Sequence, residues 1–484
     1  MTRVSIFPRL ALASACAVAL AGCVSMAPRY QRPDAPVATQ FRDAPAGDAS
    51  AAAVAELDWR EVFLDPRLQQ VIALALDNNR DLRVALLNIE KARATYRIQR
   101  ADLLPSVDAG ASQTAQRSSS AASTTGTSQV GRSVSAEVGF SSWELDLFGR
   151  IRSLKNEALE TYLASEQTQR DTRLSLIAEV AGDWLAVAAD RQLLALAEQT
   201  YESQRKTLEL TERRHAEGVD SGVDLASVQA SAESARADVA SYGTALAQAR
   251  NALELVVGAP VPDDLLPGAD SDADAVALAP LPANLSSAVL LQRPDVLYAE
   301  HALKAANADI GAARAAFFPT ISLTASTGRA SDELSSLFDA GTRTWSFVPS
   351  ISLPIFHAGA LKASLDAAKI EKQIAVAEYE KAIQAAFGEV ADALAARARV
   401  DEQLDAQRAY VAATGRSREL TEARWRSGAD SYLDALTAQR AHYGAQQALI
   451  NLRLTEASNR VTLYKVLGGG ADTWPDVPVA GPSR

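Results

Sequence analysis

The side chains able to do covalent or metal chemistry are few and do not converge. Four histidines, His215, His301, His357 and His442, lie far apart, without the spacing at which imidazoles share a metal. No His-Glu-x-x-His occurs, and no glycine-rich loop ends in the Gly-Lys that cradles a phosphate. The chain therefore reads as a non-enzyme with no metal and no bound cofactor. What recurs is a short polar motif. Its first copy is Gly218-Val219-Asp220-Ser221-Gly222-Val223-Asp224-Leu225, and its second is Gly428-Ala429-Asp430-Ser431-Tyr432-Leu433-Asp434-Ala435, offset by 210 residues. The chemistry here is hydrogen bonding. Gly218 and Gly428 let the chain leave a helix in the left-handed conformation. Asp220-Ser221 and Asp430-Ser431 offer oxygens to cap the next helix. Ser221-x-x-Asp224 and Ser431-x-x-Asp434 are capping boxes with Asp in place of Glu. Both copies predict a tight helix–helix turn, and an exposed, rigid turn is also a surface on which a partner docks.

The N-terminus predicts where these turns operate. Arg3 and Arg9 precede an apolar run, Leu10 to Leu20, that is short for a bilayer span. Leu20-Ala21-Gly22-Cys23 follows, and small residues before a cysteine at this place resemble a bacterial lipoprotein signal. The resemblance implies removal of residues 1–22 and a covalent lipid on Cys23, the one non-protein group expected. Val24, standing where an Asp often retains such proteins at the inner membrane, favours the outer membrane. The mature chain keeps one cysteine and hence no internal disulfide. The net charge of −11 and the lack of a basic block argue against nucleic acid. No other apolar run is long enough for a transmembrane helix, so any crossing is by strands.

The elements that carry the two turns form a duplicated pattern. Residues 23–64 read as an extended leader. Asp65-Pro66 opens a helix predicted to run to about Asp102, with Pro suited to the first turn. From 105 to 148 the period changes to alternation (Val107, Ala109, Ala111; Val134, Ala136, Val138, Phe140), which is strand spacing. Trp143 reads either as an interfacial aromatic of a membrane barrel or as a packed strand residue. Gly149 then opens a stretch of 68 residues, about 100 Å as a helix. After the first turn, Leu225, Val228, Ala232, Ala235, Val239, Tyr242, Leu246, Ala249, Leu253 and Val256 step by three and four, a coiled-coil seam. Residues 259–285 form a Pro- and Asp-rich linker. A helix from about 286, strands within 319–358, a second 68-residue helix from Gly359 and a last helix to about Leu467 repeat the design. The repeats span 65–258 and 286–468, with a tail at 469–484. In the last helix His442, Glu456 and Asn459 interrupt the seam, and His442 is placed to set its register.

Four strands cannot close a barrel, and an open strand edge in lipid leaves backbone groups unsatisfied. Chains must pool strands, eight from two copies or twelve from three. Geometry alone leaves both open.

The lipobox, the duplication and the paired turns resemble the TolC-like outer membrane factor family, in particular its lipoprotein branch serving resistance-nodulation-division efflux pumps. Trp143-Glu144-Leu145-Asp146-Leu147-Phe148-Gly149-Arg150 and Arg293-Pro294-Asp295-Val296 match that branch closely. The resemblance implies a mainly α-helical homotrimer. Four strands per chain would form a twelve-stranded outer membrane β-barrel, and the helices a periplasmic α-helical barrel banded by linker and tail. It implies a passive exit duct for drugs or other small toxic compounds. Its partners would be a periplasmic membrane-fusion adaptor, an inner membrane transporter and outer membrane lipid, with the adaptor meeting the tips. It also implies a gate around the second tip: Trp425 and Arg426 before Gly428, Leu433 after Tyr432, and Arg440. Relatives place an Asp where this chain has Thr437. Asp434 is the neighbouring carboxylate, about 300° around the helix; a ring of three would favour cations. Two other readings share these elements, a type I protein secretion duct and a non-channel coiled-coil lipoprotein; the strand hairpins weigh against the second.

Overall fold

A computed structural model describes residues 25–42, 58–121, 126–268 and 286–469. Cys23, residues 43–57, most of the linker and nearly all of the tail lie outside the described residues. Within the leader's end, Trp59–Val62 forms a one-turn helix, α1, capped by Asp58. Helix α2, Pro66–Asn78, starts as its sequence predicts: Asp65 accepts from the Arg67 amide at 2.8 Å and Pro66 occupies the first turn. The predicted single helix to Asp102 is in fact two. Asn79 is extended, and α3 restarts at Arg80–Ala101. The Asn79 side chain makes the break. Its Oδ1 accepts from the Leu82 amide (2.8 Å) and its Nδ2 donates to the Val256 carbonyl (2.7 Å). A short amide side chain competes with the backbone ladder in this way.

The second repeat breaks at the matching place. Ser287–Gln292 is a 3-10 turn, and the α-helix, α6, spans Pro294–Ala315. Arg293 is extended, as a residue before proline prefers. The two long helices, α4 at Arg150–Ala216 and α7 at Ala360–Arg426, each have 67 residues. Gly149 (φ 76°) and Gly359 (φ 88°) supply the positive φ at their entry. Helices α5, Gly222–Val257, and α8, Tyr432–Val466, follow the tips. Every predicted seam residue of α5 is buried or half-buried. The polar seam positions of α8 find partners: Glu456 is 3% exposed and pairs with Arg460, and Asn459 donates to the Ala393 carbonyl at 3.0 Å.

The strands are β1 Asp108–Ser118, β2 Gln129–Glu144, β3 Thr320–Ser331 and β4 Arg343–Ser352. They form one antiparallel sheet in the order β1-β2-β3-β4. Gly139 and Gly328 are required by close approach: a Cβ would lie 2.2 Å from the Ala325 or Ala136 carbonyl oxygen. A bulge between Phe140 and Trp143, with Ser142 at φ 52°, re-aims the end of β2. Trp143 there sets its ring edge-on to Phe140.

Two compact units divide these elements. One comprises residues 1–34, 88–165 and 299–379. It holds the sheet and the described start of the leader, which is extended along α6. Arg314 donates to the Met26 carbonyl and Asn307 to that of Pro28, while Arg32 and Tyr30 bind the buried Glu300 at 2.6 and 3.1 Å. Glu144 clasps Arg150, and Asp146 accepts from the Ile151 and Arg152 amides, so the strand exit caps the first long helix. The other unit comprises 35–87, 166–298 and 380–484. Its core gathers Trp59, Phe63, Leu68 and Ile72 with Ile177, Trp184, Leu253 and Tyr464. Both tips belong to this second unit.

Candidate functional site: the paired helix tips

Each tip is built by the same local rules. Gly218 (φ 74°) and Gly428 (φ 76°) end α4 and α7, their amides donating to His215 and Trp425 carbonyls at 2.9 Å. The Ser221 hydroxyl accepts from the Asp224 amide at 3.1 Å, and Asp224 reaches back to the Ser221 amide, a complete capping box. Ser431 accepts from Asp434 at 3.4 Å, and its hydroxyl donates to the Asp434 carboxylate at 2.7 Å. Ser431 is thus the cap and holds the Asp434 carboxylate, but the reciprocal bond to the Ser431 amide seen at the first tip is not made, so the second predicted box is half formed.

Asp220 and Asp430 have a second role that motif reading missed. Arg214 Nε meets Asp220 at 2.9 Å, and Arg424 meets Asp430 through Nε and Nη2 at 2.6 and 2.8 Å. These are charge-assisted bonds across the turn, stronger than neutral ones. The Arg424 guanidinium holds Asp430 below the usual carboxylate range. The signal was present in the sequence: an Arg six residues before the Asp in both copies.

The two tips differ at their aromatic positions. Trp425 and Tyr432 stand in the second tip where His215 and Gly222 stand in the first. The Trp425 and Tyr432 rings pack edge to face, centroids 5.2 Å apart. They form a small core with Val228, Ala435 and Leu436. Arg214 of the first tip lies over the Trp425 ring at 6.0 Å, a cation–π contact joining the tips. Burial pushes the Tyr432 phenol up to about 12. Trp425 is therefore a packed residue of the tip core.

The remaining positions implied by resemblance are more open. Arg426 is exposed and pairs with Glu422 one turn back. Leu433 is 65% exposed, and Val223, its counterpart in the first tip, 76%. The Thr437 hydroxyl donates to the Leu433 carbonyl of its own helix at 2.8 Å. Arg440 reaches Ser231 Oγ at 3.4 Å. Above this level the hairpins are joined by further polar bonds. Gln204 donates to Gln439 (3.0 Å), the Tyr443 hydroxyl to Asp238 (3.2 Å), and Gln447 to the Tyr242 oxygen (2.8 Å). His442 faces α7, where Gly415 makes room: a Cβ there would sit 3.1 Å from His442 Cε1. His215 bonds the Asp220 carbonyl and His301 bonds Glu160, so the histidines serve separate places. Among the described residues no His, Cys, Asp and Glu cluster suited to a metal occurs.

The tips thus end two 67-residue helices of a chain whose strands form one four-stranded sheet. The sequence profile of the outer membrane efflux protein family matches residues 71–259 and 285–469. The chain belongs to the outer membrane efflux protein family. Its relatives include two proteins of Pseudomonas putida, the antibiotic efflux pump outer membrane protein ArpC and the toluene efflux pump outer membrane protein TtgC. Each is 50% identical over 454 residues, covering 93% of both chains. The open state of the Neisseria gonorrhoeae MtrE outer membrane channel is similar in structure (TM-score 0.83, 40% identity), covering 93% of this chain and 99% of that one. The efflux protein fold therefore places this chain among TolC-like outer membrane channels with a periplasmic extension.

Proposed function

We propose that this chain is the exit duct of a tripartite efflux pump, a passive homotrimer. Three copies contribute twelve strands to one outer membrane barrel, and their helices enclose a water-filled path through the periplasm. An inner membrane transporter of the resistance-nodulation-division type supplies the energy. A periplasmic membrane-fusion adaptor meets the tips at Gly218, Asp220, Ser221, Asp224, Gly428, Asp430 and Ser431. A lipid on Cys23 tethers the leader to the outer membrane. The cargo is small and toxic, in keeping with the antibiotic and toluene named for the relatives. The observation that carries this reading is the four-stranded sheet whose outer strands, β1 and β4, each pair on one side only within the chain. Such a sheet is stable in lipid only when copies close it.

The duct is gated at the second tip by Trp425, Arg426, Leu433, Asp434, Thr437 and Arg440. Trp425 acts by holding the tip core together, while Leu433 and Arg426 present apolar bulk and charge to the path. Arg426→Ala should raise single-channel conductance in planar bilayers. An unchanged conductance would remove Arg426 from the gate.

A further inference from the structure

The sheet separates its charges by sign. Register puts Arg117, Arg132, Arg329 and Arg343 on one face, shared with Ala111, Val138, Leu323, Phe347 and Ile351. Asp108 and Glu137 lie on the other face, among small polar residues such as Ser112 and Ser135, whose hydroxyls are 2.9 Å apart. In a membrane barrel the apolar face meets lipid and the polar face the lumen. The arginines are therefore on the lipid side, where a charge is costly at mid-bilayer and tolerated near the interface.

All four sit at the hairpin ends of their strands. Arg117 is next to last in β1, Arg132 fourth in β2, Arg329 third from last in β3 and Arg343 first in β4. The helices that flank the sheet join it at the opposite end and form the periplasmic extension, so the hairpin turns face the cell exterior. Trp345, two residues below Arg343 on the same face, is 77% exposed. From it the exposed apolar residues alternate through Phe347, Ile351, Leu353 and Ile355. At about 3.3 Å per residue and a tilt of about 40°, residues 345–355 span roughly 25 Å, the height of a barrel's apolar band. The arginines thus stand level with the head groups of the outer leaflet.

They also face each other in pairs, one pair per hairpin. Arg329 and Arg343 are direct cross-strand partners. Arg117 and Arg132 are diagonal neighbours, since Arg117 pairs with Val130 and Arg132 with Ala115. Like charges placed in this way destabilise a sheet unless an anion lies between them. Asp332, Glu333 and Asp339 are exposed in the β3–β4 turn, yet among the described residues no carboxylate forms an ion pair with any of the four. The turn fixes Arg329 instead: its Nη1 donates to the Phe338 and Asp339 carbonyls and to the Thr342 hydroxyl at 2.8, 3.1 and 3.2 Å, and its guanidinium lies 5.8 Å from the centre of the Phe338 ring. Arg117 Nε donates to the Ser128 hydroxyl at 2.9 Å. Arg132 and Arg343 are exposed and have no acceptor among the described residues.

We propose that the pairs Arg329–Arg343 and Arg117–Arg132 are phosphate clamps for an anionic lipid of the outer leaflet, its acyl chains lying on the apolar face beneath. The proposal rests on the outer membrane barrel reading above and is independent of the gate. A guanidinium fork matches the oxygens of a phosphate, and a phosphate held by both forks of a pair removes the repulsion between them. Arg329, fixed by the turn carbonyls, orients its clamp, and Arg343 closes it.

Native mass spectrometry of the purified full chain in detergent tests the clamps, with diphosphoryl lipid A as the probe and phosphatidylcholine as the zwitterionic comparison. The wild-type trimer should retain lipid A in preference to phosphatidylcholine. Arg343→Gln and Arg132→Gln break no bond within the chain, and each should weaken lipid A binding about fivefold, the factor set by one arginine near an anionic lipid surface. Arg399→Gln, which removes an exposed charge from α7, should leave binding unchanged. Wild-type binding in both clamp variants, or an equal loss in Arg399→Gln, overturns the clamps. Displacement of lipid A by millimolar inorganic phosphate would mark a free-anion site and overturn the lipid as occupant. A wild-type trimer that keeps no lipid A overturns the clamps and leaves the barrel standing; wild type that neither trimerises nor binds lipid A overturns both.

Discussion

At Arg293 one guanidinium serves three helices. Nη1 donates to the Val466 carbonyl at the end of α8 (2.8 Å), Nε and Nη2 clasp Asp295 in the first turn of α6, and Nη2 reaches Glu389 on α7 (2.7 Å). The side chain is 9% exposed, so an Arg293→Asn change leaves a buried carbonyl and carboxylates short of a partner. A fully buried charge stripped of its partner costs roughly 3–5 kcal/mol; with Glu389 half exposed, about 2–3 kcal/mol is expected, read as a lower melting temperature by circular dichroism. His442 makes a prediction of the same sign in pH as the usual acid effect, but in the imidazole range. Burial first, then the Arg418 charge, lower its pKa, so the folded chain favours neutral imidazole. Its contribution is present above the unfolded value of about 6.5 and is lost as pH falls through that value towards the folded one. His442→Gln should flatten the dependence of melting temperature on pH below about 6.5; an unaltered slope would place the titrating group elsewhere. The motif Arg293-Pro294-Asp295 was visible in the sequence, but its partners were not, because they lie 96 and 173 residues away.

At the scale of elements, the duplication explains the joints as well as the tips. Before the strand hairpins the repeat offset is 214, since Pro105 pairs with Pro319; after them it is 210. Asn79 is thus the counterpart of Arg293, and Val256 that of Val466. Both side chains reach the last carbonyls of the neighbouring helix, one as a neutral amide and one as a charged fork. Gly258 (φ 76°) and Gly468 (φ 74°) end those helices in the same way. Asn79→Ala should cost about 1–2 kcal/mol, the ordinary worth of a lost cap, measured by thermal melting. A loss as large as that of Arg293→Asn would mean that charge is not what distinguishes the joints. Helix periodicity predicted α2 and α3 as one element because apolar spacing continues through Asn79. The break combines a local cap, Asn79 on the Leu82 amide, which the apolar spacing masks, with a side-chain bond to Val256, 177 residues on, which no local pattern encodes. The long helices and the strands were legible for the opposite reason. A long run without Pro and with few Gly, and a switch from helical to alternating period, are local signals.

For the whole molecule, the open edges of the sheet make the oligomer a requirement of stability in lipid. The protein extracted in mild detergent should have three times the protomer mass by light scattering and should dissociate on heating in dodecyl sulfate. Twice the protomer mass would mean an eight-stranded closure and would overturn the proposed trimer. By itself the sequence determined the element types and the two turns, because each depends on residues within a few positions of one another, and the duplication, because the same local signals recur at a fixed offset. Only the tertiary structure decided that β2 pairs with β3 across the two repeats. It alone placed Trp425 in a core under Arg214, set Arg293 against Val466 and Asn79 against Val256, and tied Tyr443 to Asp238. Those contacts join residues far apart in the chain, and a side chain's partner there is set by which helix faces pack together.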